Sequence, residues 1–129
     1  MNMARNIVLA ACVLGMPSLV SAGPFDDPGP LPYRDGQSVY RAICQGCHMA
    51  DGKGAQGAGM YPALAGNPKL VAATDPVHVV LNGKNGMPSF KRFLNDEQIA
   101  AVVNYVRTNF GNRYTDSVSV DDVKKMSGR

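Results

Sequence analysis

Cys44-Gln45-Gly46-Cys47-His48 is the stretch of this 129-residue chain whose reading decides the fold. A CxxCH run reads as an attachment site for haem c. Two thiols three residues apart on a turning backbone can add to the two vinyl groups along one ring edge. His48 follows directly, where its imidazole can rise beneath the iron, and neutral imidazole is a common proximal ligand of haem. Gly46 keeps the crowded ring edge free of side-chain bulk. One such run means one haem. Two other chemistries share the cysteine pair. A redox-active dithiol expects a strand before it and a full α/β domain around it, and this chain is too short and too helical in pattern. A zinc site needs four ligands, and beyond residue 22 the only histidine besides His48 is His78.

Iron held by His48 leaves one axial position on the far face. Four methionines lie beyond residue 22, at 49, 60, 87 and 126. Met49 sits beside the histidine and cannot reach across the ring, Met60 lies in a glycine-rich stretch close behind it, and Met126 falls in a polar tail. Met87 is set in Gly83-Lys84-Asn85-Gly86-Met87-Pro88-Ser89-Phe90. Glycines ahead of it and a proline after it predict a fixed non-helical loop that can present a thioether to iron. The plainer alternative is a gap-filling core methionine. His78 is the rival nitrogen ligand, but Asp75-Pro76-Val77-His78-Val79-Val80-Leu81 places it on the polar face of a short helix. Methionine opposite histidine raises the reduction potential relative to two nitrogen ligands. Two protein ligands also leave no open position on iron for oxygen or peroxide.

Upstream, Met1–Asn6 carries Arg5 and precedes the apolar run Ile7–Val20, which ends in Val20-Ser21-Ala22. This is the form of a secretory signal peptide, and the expectation is cleavage after Ala22 and export to the periplasm. The run contains Gly15 and Pro17 and falls short of the ~20 residues needed to span a bilayer. A lipoprotein box at Leu9-Ala10-Ala11-Cys12 would leave only a brief apolar stretch ahead of Cys12. Without residues 1–22 the chain has 12 Lys and Arg against 10 Asp and Glu. No concentrated basic stripe of the kind nucleic acid demands is present, and no further stretch has the length and apolarity of a transmembrane helix.

Residues 23–34 are an extended leader rich in proline and glycine. A first helix is predicted from about Gly36 to Cys44, capped by Asp35. Five glycines within 49–66 predict a loop long enough to wrap the haem edge. Asn67-Pro68 and Asp75-Pro76 each carry a helix-start signal, the second opening a helix that ends at Asn82-Gly83. The longest helix begins at Asn95 and is stopped by Gly111-Asn112. Ile99, Val102, Val103, Val106 and Phe110 recur along it at helical spacing, Tyr105 lies on a flank, and Arg107 sits near the end where the helix dipole favours positive charge. No useful strand alternation appears. Four to five short helices around one covalently bound haem make an all-α domain over 35–111, with residues 112–129 as a C-terminal extension. Val118–Val123 predicts a short extended segment and then a helical turn capped at Ser119 or Asp121. A core of this size buries little surface alone, so the apo chain is expected to be largely unfolded.

Across roughly residues 34–110 the chain resembles the class I cytochrome c family, and most of all the small cytochrome c subunits that accept electrons from periplasmic dehydrogenases. The resemblance is carried by Cys44-Gln45-Gly46-Cys47-His48, by Pro62-Ala63-Leu64 running into Ala65-Gly66-Asn67-Pro68, by Met87-Pro88 with Phe90 after it, and by the helix over 95–110. It implies the class I cytochrome c fold. It implies that the Pro62 carbonyl accepts a hydrogen bond from Nδ1–H of His48, that Leu64 packs on the haem with Phe90 supporting the pocket, and that Gly36 and Tyr40 cross Val102 and Tyr105. It further implies one-electron transfer from a flavin or quinone dehydrogenase to another cytochrome or a terminal oxidase of the respiratory chain, with no catalytic residue. Lys53, Lys84, Lys91 and Arg92 come from the loops expected to rim the exposed haem edge. They read either as an ordinary solvated surface or as a weak positive rim that steers an acidic partner. A haem enzyme or gas sensor is the rival class and needs an iron without Met87. A purely structural subunit needs a haem that does not cycle.

Overall fold

The computed structural model describes residues 31–57 and 60–129. The export segment and residues 23–30 of the leader lie outside the described residues. Asp35 caps the first helix, its carboxylate accepting from the Ser38 amide at 2.8 Å. That helix runs on past Cys44 in three consecutive stretches: α1 (Gly36–Val39), a π-helical turn (Tyr40–Cys44) and α2 (Gln45–His48). The sequence-based end at Cys44 therefore falls one turn short: Gly46 in the attachment run is accommodated within α2. Met49 ends the helix with φ 64°, and Tyr40 Oη donates to the Met49 carbonyl at 2.7 Å.

The stretch predicted as pure loop contains a two-stranded antiparallel ribbon, β1 (Ala55–Gln56) and β2 (Met60–Tyr61), with Ala55 opposite Tyr61. A ribbon this short carries no alternation for a sequence pattern to reveal. Pro68–Leu70 forms a single 3₁₀ turn after the Asn67 cap rather than a longer helix. Next come α3 (Thr74–Asn82) and α4 (Asp96–Thr108). Asn95 and Gln98 close a reciprocal capping box at the start of α4. The helix ends at Thr108, three residues before Gly111. The Asn109 side chain donates to the Tyr105 carbonyl, and Phe110 turns the chain with φ 56°.

The core sits where α1 crosses α4. A Cβ on Gly36 would lie 2.1 Å from the Ala101 carbonyl oxygen, so only glycine permits this approach. Tyr40 packs against Tyr105 and Phe110 with ring centroids 5.6 and 4.9 Å apart, and Tyr105 meets Phe110 edge-on. Val39, Val77, Leu81, Ile99, Val102 and Val103 complete this buried cluster. The expected crossing at Gly36 and Tyr40 is thus present, and Phe110 joins it.

The tail lies back on the body. Its α5 (Val120–Ser127) is a full two-turn helix capped by Ser119 through a capping box with Asp122. Val118 and Val123 are buried against α3 and α4. No helix among the described residues is long and apolar enough to cross a membrane.

Candidate functional site

Residues three and four apart on a helix share a face. The helical path through 45–48 therefore turns Cys44, Cys47 and His48 to one side. Cys44 is half-buried, Cys47 is exposed and both thiols are free. Burial, followed by the nearby Cys47, pushes the Cys44 thiol up to about 11. Redox-catalytic cysteines are instead thiolates with lowered pKa, so this pair is a poor dithiol catalyst. Among the described residues no group of three or more His, Cys, Asp and Glu side chains gathers as a metal site.

His48 is only 7% exposed. Its Nδ1 lies 2.9 Å from the Pro62 carbonyl oxygen. A carbonyl accepts only, so Nδ1 carries the proton and Nε2 the lone pair, the arrangement a ligating histidine requires. The strand end that supplies this carbonyl is held by close backbone approach. Gly54 donates its amide to the His48 carbonyl at 3.1 Å. A Cβ on Gly54, where φ is +69°, would lie 2.1 Å from the Tyr61 carbonyl oxygen and 2.9 Å from that of Pro62. The Gly52 carbonyl accepts from the amides of Leu64 and Ala65 at 2.7 and 2.9 Å. The histidine, its acceptor and Leu64 are thus tied together within one stretch of chain.

Met87 closes a tight bridge with Lys84, each amide donating to the other's carbonyl at 2.9–3.0 Å. Asn85 supplies the positive φ that this turn needs. Gly83 permits it, since a Cβ there would stand 2.6 Å from the Met87 carbonyl oxygen. Beyond the bridge, Ser89 Oγ donates to the Leu81 carbonyl at 2.5 Å and the Phe90 amide to that of Val80 at 2.9 Å. The loop is therefore laced to the end of α3, with Met87 half-buried. The other sulfur and nitrogen candidates stand differently. Met60 is 78% exposed on β2, His78 is exposed on α3 and Met126 belongs to α5.

A second tier of residues escaped the sequence reading. Arg107, read as a basic residue near the helix end, lies in the last turn of α4 as expected but is only 1% exposed. Its guanidinium donates to the carbonyls of Leu70 and Val71 at 2.9 and 3.1 Å and to both the carbonyl and the carboxylate of Asp116. Carbonyls at the end of the 3₁₀ turn thus hold this cation inside the fold while it remains in the last turn of α4. Asn112 accepts from the Asn67 amide at 3.0 Å and donates to the carbonyls of Leu64 and Val106. Gln98 donates to the carbonyls of Leu31 and Tyr33, both at 2.6 Å, which holds the end of the leader on α4. Of these three, Gln98 carried a signal that could have found it, its spacing of three from Asn95 at the helix start.

Lys84, Lys91 and Arg92 are exposed and take part in no ion pair among the described residues. Lys53 is exposed too, but its ammonium lies 3.3 Å from Asp51. The Lys53 backbone amide, then desolvation and the ammonium, act on Asp51, and its carboxyl is held below the usual range.

These residues fit a covalently held porphyrin. The Cys44-x-x-Cys47-His48 run matches a c-type haem attachment and supports one covalently bound haem c. Ile43, Leu64, Val80 and Phe90 present apolar side chains that the protein core covers only in part.

Comparison with known proteins points the same way. Residues 32–106 match the family described as cytochrome c oxidase, cbb3-type, subunit III. The fructose dehydrogenase cytochrome subunit of Gluconobacter japonicus is 37% identical over 71% of this chain and 22% of its own length. The alcohol dehydrogenase (quinone) cytochrome c subunit of Gluconobacter oxydans is 37% identical over 70% of this chain and 21% of its own. The chain thus spans about a fifth of the length of these two subunits. Cytochrome c-552 of Thermus thermophilus is 34% identical over 76% of this chain and 68% of its own length. With its all-α architecture and its CxxCH helix, the chain belongs to the class I cytochrome c family, as a small haem-binding electron-transfer domain related to the cytochrome subunits of dehydrogenases.

Proposed function

We propose that this chain is a one-electron carrier of the periplasm whose iron is held between His48 and Met87. On this reading it accepts electrons from a flavin or quinone dehydrogenase and passes them to a cytochrome or terminal oxidase of the respiratory chain. The single observation that supports His48 as an iron ligand is the 2.9 Å contact between its Nδ1 and the Pro62 carbonyl, while Met87 is supported by the bridged loop that holds it. The His48 contact fixes the tautomer, orients the ring and raises the basicity of Nε2. Bound haem c supplies a one-electron couple at its iron. Cys44 and Cys47 would tether the ring, His48 and Met87 would supply the two protein donors to the iron, and Leu64 and Phe90 would offer apolar surface to the porphyrin. The dehydrogenase partner is supported by the relatives' names, since two are cytochrome subunits of fructose and alcohol dehydrogenases. The periplasmic address is supported by the signal-like residues 1–22, with 23–34 as leader, 35–111 as the haem domain and 112–129 as an extension. Lys84, Lys91 and Arg92 are the free cations of the partner-facing rim, with Lys53 partly neutralised.

Replacing Met87 with Ala tests the core of this reading. The variant should lose the weak long-wavelength band of ferric haem bearing methionine sulfur, bind carbon monoxide rapidly when reduced, and show a lowered reduction potential. Ferric spectra identical to those of the parent protein would remove Met87 from the iron. Mass spectrometry of the exported protein without one added haem would remove the whole reading.

A further inference from the structure

Arg129 stands 38 residues from Lys91 in sequence, yet its guanidinium grips the far end of the Met87 loop. It donates to the Lys91 carbonyl at 2.5 Å, to the Leu94 carbonyl at 3.2 Å from both terminal nitrogens, and to Asp96 Oδ1 at 2.6 and 3.2 Å. The approach is built into the end of α5. Gly128 adopts the left-handed cap (φ 68°, ψ 28°), its amide donates to Lys124, and the next residue is turned toward the loop. Asp96 is well shielded, its side chain 11% exposed, and Arg129 itself is 34% exposed. This is therefore not an open surface pair.

We propose that Arg129 is a positioning residue for Met87: it clamps the 91–94 end of the loop and thereby keeps the loop closed. The proposal rests on the reading of Met87 as the axial ligand. The first part of the loop is already laced to α3 through Ser89 and Phe90. The remaining turn, in which the amides of Phe93 and Leu94 both donate to the Phe90 carbonyl, leads straight into the Asn95 cap. Arg129 closes this turn by satisfying two of its carbonyls while its charge is met by Asp96. A planar fork with fixed donor directions can serve all three acceptors together, whereas a lysine ammonium is a compact point charge. An external ligand reaches the position of Met87 only from the opened loop, so its apparent affinity scales with the opened fraction.

The test uses the haem-loaded protein in parent, Arg129→Ala, Arg129→Lys and Met87→Ala forms, with Arg113→Ala as an exposed-charge control. Imidazole is titrated into the ferric protein, and amide hydrogen exchange is followed through 84–96 and through α4. Arg129→Ala should bind imidazole about tenfold more tightly, the net effect of losing about one charge-assisted hydrogen bond once water takes up the rest. Its amides from 87 to 94 should exchange faster while the centre of α4 keeps its protection. Arg129→Lys should recover only part of both effects, and Arg113→Ala should match the parent. Unchanged imidazole affinity and unchanged exchange in Arg129→Ala would overturn the clamp. So would faster exchange spread evenly over the whole fold, which marks general destabilisation. If Met87→Ala leaves the ferric spectrum unaltered, the ligand assignment fails by itself, and with it the positioning role. Exchange then reports only whether Arg129 closes the loop.

Discussion

The two sides of the proposed haem site, His48 and Met87, are braced in different ways. On the His48 side the contacts that set the ligand are local: the acceptor Pro62 is 14 residues away, and Gly54 and Tyr40 tie the same short stretch together. Asn112, which holds the Leu64 carbonyl of the same stretch, is buried, as is Arg107 farther along at the Leu70 and Val71 carbonyls. On the Met87 side the loop is laced to α3, and its distant brace, Arg129, is a third exposed. The histidine side is thus tethered covalently, set locally and backed from the interior. The methionine side is held by a few directed bonds at the rim of the fold. Local opening draws on regions with few buried contacts and exposed hydrogen bonds, so the methionine side should give first.

The largest expected effect lies in the buried brace. Arg107→Met fills similar space but removes the donors for the Leu70 and Val71 carbonyls, while Asp116, two-thirds exposed, returns to water. Losing charge-assisted hydrogen bonds to backbone carbonyls in this way costs about 1.5–3 kcal/mol. Urea unfolding of the haem-loaded protein should show a loss of that size. A loss below about 1 kcal/mol would mean that solvent replaces these bonds, and that the two sides are braced alike.

A matched pair of substitutions sharpens the contrast. Gly54→Ala and Gly83→Ala both add a methyl group where φ is positive and a carbonyl oxygen lies within 2.1 and 2.6 Å of the new atom. Each should cost more than the ~1 kcal/mol typical of a simple glycine effect. The consequences should fall on opposite faces. Gly54→Ala displaces the strand end behind His48 and should perturb the NMR signals of the histidine ring. Gly83→Ala displaces the bridge behind Met87 and should perturb those of the methionine methyl. If either change disturbs both ligands equally, the two sides are one cooperative unit and the comparison fails.

What the sequence disclosed follows the same division. The attachment run, the start of the last helix at Asn95, the apolar spacing of α4 and the non-helical loop around Met87 are set by neighbours within one turn or one loop, and they could be read directly. Arg107 could not, because a basic residue at a helix end has a ready surface explanation, and only tertiary placement sets it beneath the Leu70 and Val71 carbonyls. Asn112 looked like part of a helix stop, although its side chain joins two distant backbone groups to the Val106 carbonyl of α4. The π-helical turn at Tyr40–Cys44 leaves no mark in a periodicity count over so few residues. In the tail, the Ser119 cap was visible, but the length of α5 and its seat against α3 and α4 depend on partners far away in the chain.

Acid sensitivity gives a smaller effect. The Arg107 side chain, as hydrogen-bond donor and then as charge, holds the Asp116 carboxyl below the usual carboxylate range. A carboxyl whose pKa is lower in the folded than in the unfolded state adds stability above its ordinary pKa. That increment is lost as pH falls through the lowered value. Asp116→Asn should therefore leave a shallower decline in stability below about pH 4 than the parent shows. Parallel acid limbs for the two proteins would show that Arg107 draws its hold on the tail from the Asp116 backbone carbonyl alone.

The smallest effect concerns association. Lys84, Lys91 and Arg92 lie on the methionine side and are unpaired among the described residues, while Lys53, nearer His48 in the chain, stands against Asp51. If the rim steers an acidic partner, the methionine side should carry most of the steering. Lys84→Gln should then slow electron transfer from a dehydrogenase more than Lys53→Gln. Both differences should fade as salt rises from about 10 to 300 mM, because screening shortens the reach of exposed charges from roughly 30 Å to under 10 Å. Such an effect acts on the encounter rate more than on affinity, so rapid mixing is the measurement that reads it. Equal slowing by the two substitutions would spread the rim evenly around the haem edge. Rates independent of salt would mean that these cations are ordinary solvated surface and that the two sides differ in bracing alone.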